Sequence, residues 1–351
     1  MNQKPSDYYY KYQKYKSKYY ELSRIQNNIK YESDIGEILD IAANCQILGM
    51  AEATHGQNEI TKFRIKVFKL LVKKGGYTVF VLEDQYSCCE QINQYIQFGI
   101  GQPRDLLMDL MWFWRSYEML GLIKWMRKYN LKHNLASRGT ILEFKGLDIQ
   151  SICDLRGNNN HNKDPVATYV KNKNRANNRV DQENWVVADG FRDKSMFGVF
   201  MKIYDLTKKY FLYAHNYHIA KQDLVGALSI NKNFEGRHIR KGETVDWLGC
   251  RLAKKFNNKY YAIGNVFTTG AYLETFDLVE QYRQSGIKTI YHKYKNSDEY
   301  ITVKNIPSVG NIDSDNLPEG LTIENSPNKE FDAVMKIAHE TPLDIVSPLR
   351  D

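Results

Sequence analysis

Glu52 and His55 stand three residues apart where a short apolar run, Gln46–Ala53 (QILGMAEA), gives way to Thr54-His55-Gly56. Three further apolar runs close in the same manner. Thr78–Asp84 (TVFVLED) ends on Glu83 and Asp84, Leu142–Ile149 (LEFKGLDI) carries Asp148, and Tyr210–His215 (YFLYAH) leads into Asn216, Tyr217 and His218. An imidazole titrates near neutrality, so it can take a proton from water at pH 7. A carboxylate beside it fixes the tautomer and stabilises the imidazolium that forms. Water activated in this way attacks an ester carbonyl, and a second imidazole or an arginine stabilises the oxyanion or protonates the leaving alkoxide. Glu52, His55, Glu83, His215, His218 and Arg64 supply these roles. His55 is the expected base, because it lies between a buried strand and a helix N-terminus, whose dipole favours the neutral ring. A second chemistry stays open for the same set. His215 and His218, three apart, make with Glu52, His55 and Glu83 a credible His/carboxylate metal set, and so a metal-dependent hydrolase.

Other chemistries lack their residues. There is no GxSxG turn for a serine nucleophile, and neither GxxxxGK[ST] nor GxGxxG for nucleotide phosphates. The five cysteines, Cys45, Cys88, Cys89, Cys153 and Cys250, are odd in number and irregular in spacing. They suit neither a zinc knuckle nor a redox pair, and read as free thiols of a soluble cytoplasmic protein.

The elements that must position the site alternate. Buried strands at Gln46–Ala53, Thr78–Asp84, Leu142–Ile149, Tyr210–His215 and Tyr260–Val266 are separated by helical patterns at Glu59–Lys74, Glu90–Phe98, Arg104–Trp112, Tyr117–Tyr129, Val186–Asp205 and Thr244–Phe256. FDAVMKI near the end reads as a last strand. Such alternation predicts an α/β fold: a mainly parallel central sheet with helices on both faces and helical elements near the cleft. In such sheets ligand sites form at the carboxyl ends of the strands, which is where the polar residues fall.

Residues 1–30 form a separate unit, an extension that is helical or partly disordered, with Tyr8, Tyr12, Tyr15, Tyr19 and Leu22 on one stripe and Lys11, Lys14 and Lys18 on another face. Its seven Lys/Arg against two Asp/Glu hold much of the chain's net charge of +8. Its Tyr/Lys style is similar to the openings of many proteins from large DNA viruses. No nucleic-acid motif accompanies it, so no nucleic-acid partner is expected, and its own partner is unknown. Residues 31–351 read as one catalytic domain, interrupted by a polar Asn-rich loop at 151–183. No apolar stretch is long enough for a transmembrane helix.

The segment LGMAEATHGQNEITKFR resembles the opening motif of the erythromycin esterase family, a strand followed by Glu-Ala/Ser-Thr-His-Gly and a downstream Arg. VLED, WFWRSYEMLGLIKWMRKYN, GLDIQ, FRDKSM, YAHNYHIA, the segment from Thr244 to Gly270 and FDAVMKI have family counterparts in the same order, from about Leu48 to Ile337. The resemblance implies metal-independent, cofactor-free hydrolysis of a small-molecule ester or macrolide lactone. It implies His55 as the base for water, with Glu52, Glu83 and His215 as catalytic partners and Arg64, His218 and Arg115 at the substrate or transition state. A non-catalytic binding descendant is the further alternative. Family members carry a sizeable helical region between the Gly-Leu-Asp strand and the Arg-Asp helix. Here that interval, Ile149 to Phe191, is polar and short of wall, which points to smaller or more polar esters.

Overall fold

Successive residues of a strand point to opposite faces of a sheet. The runs at 47–52, 77–85 and 209–215 are apolar on both, so each needs cover from two sides. In the computed structural model they receive it. Residues 38–134, 141–149, 185–222, 246–274, 288–293, 321–325, 330–340 and 343–346 are described. The N-terminal extension and the polar loop at 151–183 lie outside the described residues.

The strands are β1 (Ile47–Glu52), β2 (Tyr77–Gln85), β3 (Glu143–Asp148), β4 (Lys209–His215), β5 (Tyr260–Glu274), β6 (Lys288–Lys293), β7 (Leu321–Asn325) and β8 (Ala333–Glu340). They form one sheet in the order β3-β2-β4-β1-β5-β8-β7, with β6 pairing to β5. The six strands from β3 across to β8 are parallel, while β6 and β7 are antiparallel to their neighbours. The sheet is therefore mainly parallel, as expected.

The helices are α1 (Asn58–Lys74), α2 (Tyr86–Phe98), α3 (Pro103–Met108), α4 (Tyr117–Asn134), α5 (Trp185–Ile203), the single turn α6 (Asn216–Ile219) and α7 (Leu248–Phe256). α1, α2 and α4 cover Leu48, Met50, Phe80, Leu82, Phe211 and Tyr213 on one face. α5, α6 and α7 cover Ile47, Ala51, Val79, Val81, Leu212 and Ala214 on the other. Phe80 sits at the centre of the first face, with Phe68, Phe144 and Phe211 rings at 5.0, 5.2 and 5.7 Å. Truncating such a side chain typically costs about 3–5 kcal/mol. Among the described residues no helix is long and apolar enough to cross a membrane. Cys45, Cys88, Cys89 and Cys250 are buried and not disulfide-bonded.

Two elements differ from the sequence expectation. The helix expected over Arg104–Trp112 stops at Met108, and a 3-10 turn follows at Trp112–Trp114. The break has a tertiary cause: the buried Asp84 side chain at the end of β2 accepts the Met111 N–H at 2.9 Å, which draws the chain out of the helix. β5 runs on from Val266 to Glu274, because its second half gains β6 as an antiparallel partner.

Candidate active site

Parallel pairing brings the polar strand ends to one edge. Glu52 lies directly opposite His215 in the β1–β4 register, and Gln85 opposite Asp148 in β2–β3. Residues far apart in sequence thus become neighbours across the roughly 4.8 Å step between strands.

The first group stands where β1 turns into α1. The His55 Nδ1–Glu52 Oε1 separation is 2.5 Å. Glu52 is buried and His55 is 31 % exposed. The carboxylate accepts the Nδ1 proton, so the lone pair resides on Nε2, which bonds no described residue. Arg64, reaching back from α1, lies fully buried beneath. It donates to Ala51 O at 2.5 Å, approaches Glu52 Oε2 at 3.4 Å and stacks on the Tyr213 ring at 3.9 Å. Burying a guanidinium is costly without such partners. The His55 ring is also held on its face: Phe113 stacks on it at 3.8 Å and 4° between planes, and Trp114 meets it edge-on at 5.8 Å.

The loop carrying His55 is pinned by Gly56. Its φ is +74°, a left-handed conformation, and a Cβ there would fall 2.2 Å from Leu273 O. Only glycine fits that approach. Gly56 O in turn accepts the Leu273 and Leu343 N–H groups at 3.2 and 3.0 Å. Ala53 N donates to Asn265 Oδ1 at 3.1 Å, and Asn265 exchanges two hydrogen bonds with Asn216, at 2.8 and 3.0 Å.

The second group is a buried charge cluster at the ends of β2, β3 and β4. Arg192 on α5 donates to Glu83 Oε1 at 2.7 Å and to Asp148 Oδ2 at 2.8 Å. His218 lies between Asp193, at 2.9 Å on Nδ1, and Glu83, at 3.1 Å on Nε2. Burial alone would lower the His218 imidazolium. The Asp193 and Glu83 charges overcome that and push it up to about 10. Nη1 of Arg192 also stands 3.0 Å from His218 Nε2. With the proton on Nε2, Glu83 is that nitrogen's partner and the guanidinium a like-charged neighbour. Burial works against the Glu83 carboxylate too, yet His218 and Arg192 hold it well below the usual range. Asp84 has the opposite fate: burial raises it to about 8, and Asp148 adds to the shift against its two backbone N–H partners.

His215 joins the two groups and is itself spent. Its N–H donates to Glu83 Oε2 at 2.7 Å, its Nε2–H to Ala53 O at 2.9 Å, and its Nδ1 accepts the Tyr217 N–H at 3.3 Å. That pattern is the neutral tautomer. Burial, followed by the nearby His55, pushes the ring down to about 3. Its centroid is 5.5 Å from that of His55.

Of the residues singled out from sequence, Glu52, His55 and Arg64 gather in the first group, Glu83 and His218 in the second, with His215 between. Arg115 belongs to the loop beneath, its Nε donating to Leu110 O at 2.7 Å. Among the described residues no three His, Cys, Asp or Glu groups stand as a metal-ligand set. The metal reading needs Glu83 and His215 as ligands, and their donor atoms are already engaged. Sequence reasoning assigned no role to Arg192, Asp193 or Phe113. The signal for the first two was an Arg-Asp pair inside the apolar helix WVVADGFRDKSMFGVFMKI, where charges need buried partners.

A sheet of this kind with an imidazole–carboxylate pair at its carboxyl edge is a class of α/β protein equipped for proton transfer. The family model described as Erythromycin esterase matches residues 72–179 and 165–335. The chain belongs to the erythromycin esterase family. Among solved structures, a Bacillus cereus protein is similar at TM-score 0.58 and 17 % identity, over 90 % of this chain and 93 % of that one. A succinoglycan biosynthesis protein follows at TM-score 0.57 and 18 % identity, over 88 % and 92 % of the two chains. A mutant of the erythromycin esterase EreC in its open conformation aligns at TM-score 0.54 and 13 % identity, over 88 % and 94 %. These likenesses show a shared fold. No curated protein matches the sequence.

Proposed function

We propose that the protein hydrolyses an ester or lactone of a small molecule by water activated at His55, without a metal. The observation that carries this is the short Glu52–His55 bond, 2.5 Å, on a ring that stays 31 % exposed. The buried carboxylate orients the ring with Nε2 outward as the basic nitrogen. His55 Nε2 takes a proton from water as the oxygen attacks the carbonyl carbon. When the tetrahedral intermediate collapses, the C–O bond breaks and the same proton passes to the leaving alkoxide. Glu52 stabilises the imidazolium between the two steps, and Arg64 holds Glu52. His218 and Arg192 both contact Glu83 and fix its carboxylate beside His215 at the strand ends. His215 holds Ala53 and Glu83 in place, since both its nitrogens are committed. Family membership supports the hydrolytic class, and the polar interval after Ile149 favours small or polar esters over a macrolide.

The test is steady-state hydrolysis of short activated esters and of erythromycin by the wild type and His55→Asn. The short esters are turned over and erythromycin weakly or not at all. The variant folds and loses about 10²–10⁴-fold in rate, the usual worth of general-base assistance. A variant with near wild-type turnover removes His55 as the base. A wild type inert towards every ester favours the non-catalytic alternative.

A further inference from the structure

Residues 1–30 carry much of the basic excess, yet the folded body has a basic surface of its own. On α1, Lys62, Lys66, Lys69 and Lys73 follow at i, i+4, i+7 and i+11, one stripe of the helix. All four line a single groove of about 480 Å³ between α1 and α4, floored by Ile65 and Leu70. The two helices run parallel at matched height: Lys62 stands 3.9 Å from Glu118, and Lys69 lies over the Trp125 ring at 5.5 Å, the same offset seven residues on. On α4, Gly121 opens the groove, since nothing lies within 4 Å of where its side chain would begin. Lys124 and Lys128 continue that face at i+3 and i+7 and are exposed.

Charge here is out of balance. Glu118 is the acid on the groove, and Lys62 faces it. Neither Lys69 nor Lys73 has a carboxylate within ion-pair distance among the described residues. Burial, and then the charge of Lys73, push the Lys69 ammonium below its ordinary value. Lys69, half-buried, and Lys73 beside it thus lack counter-charge of their own, and an anion lying along the groove relieves both.

We propose that the α1–α4 groove binds the phosphodiester backbone of a single-stranded nucleic acid. The row from Lys62 to Lys73 is about 16 Å long at ~1.5 Å per residue, long enough to lie along several consecutive backbone phosphates. A trough between two helices admits a chain and not a plane. A lipid surface is further disfavoured because the large exposed apolar side chains of these helices, Tyr117 and Leu131, sit near opposite ends of α4 and not along the groove. Contacts of this kind track the backbone without reading sequence.

Salt dependence tests the proposal directly, by fluorescence anisotropy of a labelled mixed-sequence single-stranded DNA of about 15 nucleotides with the full chain. Four phosphate contacts give a log–log slope of about −2.8, or about 50-fold weaker binding on going from ~50 to ~200 mM salt. The triple variant Lys66→Gln, Lys69→Gln, Lys73→Gln leaves one contact, a slope of about −0.7 and about threefold weakening. Its circular dichroism, melting temperature and any ester turnover stay at wild-type values, because these side chains stand apart from the Glu52–His55 group. Lys254→Gln on α7 serves as a control and leaves binding unchanged. A triple variant with wild-type slope and affinity overturns the proposal and moves the binding elsewhere. Preference for phosphatidylserine vesicles over the oligonucleotide overturns it as well, as does absence of binding at the lowest salt.

Discussion

Glu52→Gln separates orientation by charge from orientation by shape. The substitution keeps the volume of a side chain that is 2 % exposed and removes its charge. His55 and Arg64 feel the loss most directly. His55 Nδ1, at 2.5 Å, retains at best an amide oxygen, a weaker acceptor. Hydrogen bonds to a charged group contribute about 1.5–3 kcal/mol, and the imidazolium formed during turnover needs that charge most. At about 1.36 kcal/mol per decade, kcat should fall roughly 10- to 150-fold. KM should hold, since Glu52 acts through the base and not on the substrate. Arg64, 0 % exposed, loses its carboxylate at 3.4 Å and keeps Ala51 O and the Tyr213 face. Breaking a buried pair costs about 3–5 kcal/mol, and the two remaining partners place this case at about 3 kcal/mol. Steady-state kinetics on a short activated ester, beside urea unfolding, read both numbers. A variant with kcat within about threefold of wild type, yet with the full loss of stability, would refute the reasoning. Glu52 would then be a counter-ion for Arg64, and His55 would take its orientation from elsewhere.

That alternative source has its own test. Phe113→Leu removes a face contact on His55 worth about 0.5–1.5 kcal/mol, so kcat should drop about 2- to 12-fold at constant KM and Phe113→Tyr should restore it; an unchanged kcat makes the stack incidental. The His218 imidazolium, raised to about 10 by Asp193 and Glu83, gives pH-dependent stability. The fold keeps a proton that the unfolded chain, with a pKa near ~6.5, releases. This stabilisation is complete below about 6.5 and is lost as pH rises through about 10, so the urea midpoint should fall across that window less steeply in Asp193→Asn than in wild type. Equal slopes count against the pair. Gly56→Ala forces a Cβ to within 2.2 Å of Leu273 O at a φ of +74°. It should cost about 1–3 kcal/mol by thermal unfolding and lower turnover with it, and a variant of native stability contradicts the geometry.

What the sequence made legible follows period and position. Apolar runs ending in Glu52, Glu83, Asp148 and His215 announced parallel strands with a shared polar edge, because both the hydrophobic pattern and the strand direction are local. Arg64 was legible too, three turns at most from the strand it underpins. The protonation pattern was not. His215 and His218 look alike as letters, yet one is held neutral by backbone groups and the other charged between two carboxylates. That difference depends on which atoms converge from α5, some twenty residues upstream, and no spacing encodes it. The break after Met108 was missed for the same reason, since the group that claims the Met111 N–H is Asp84, 27 residues earlier on β2. The amphipathic pattern of Lys62 to Lys73 was visible as a helix, while the neighbour that turns it into a groove was not.

The clasp on Gly56 sets an order on the appearance of function. Its carbonyl is held by the N–H groups of Leu273 and Leu343, more than two hundred residues further along the chain. A ribosome adds residues from the N-terminus, and domains emerge in that direction. Glu52, His55 and Arg64 are therefore among the first parts of the site to be made, while the contacts that fix their loop are among the last. During synthesis the emerging β1–α1 unit carries a complete base pair with no fixed aim. A chain lacking the segment that reaches Leu343 should hold Glu52, His55 and Arg64 in the right sequence and the wrong place. A later-made segment of the chain thus acts as the latch that fixes the loop carrying His55.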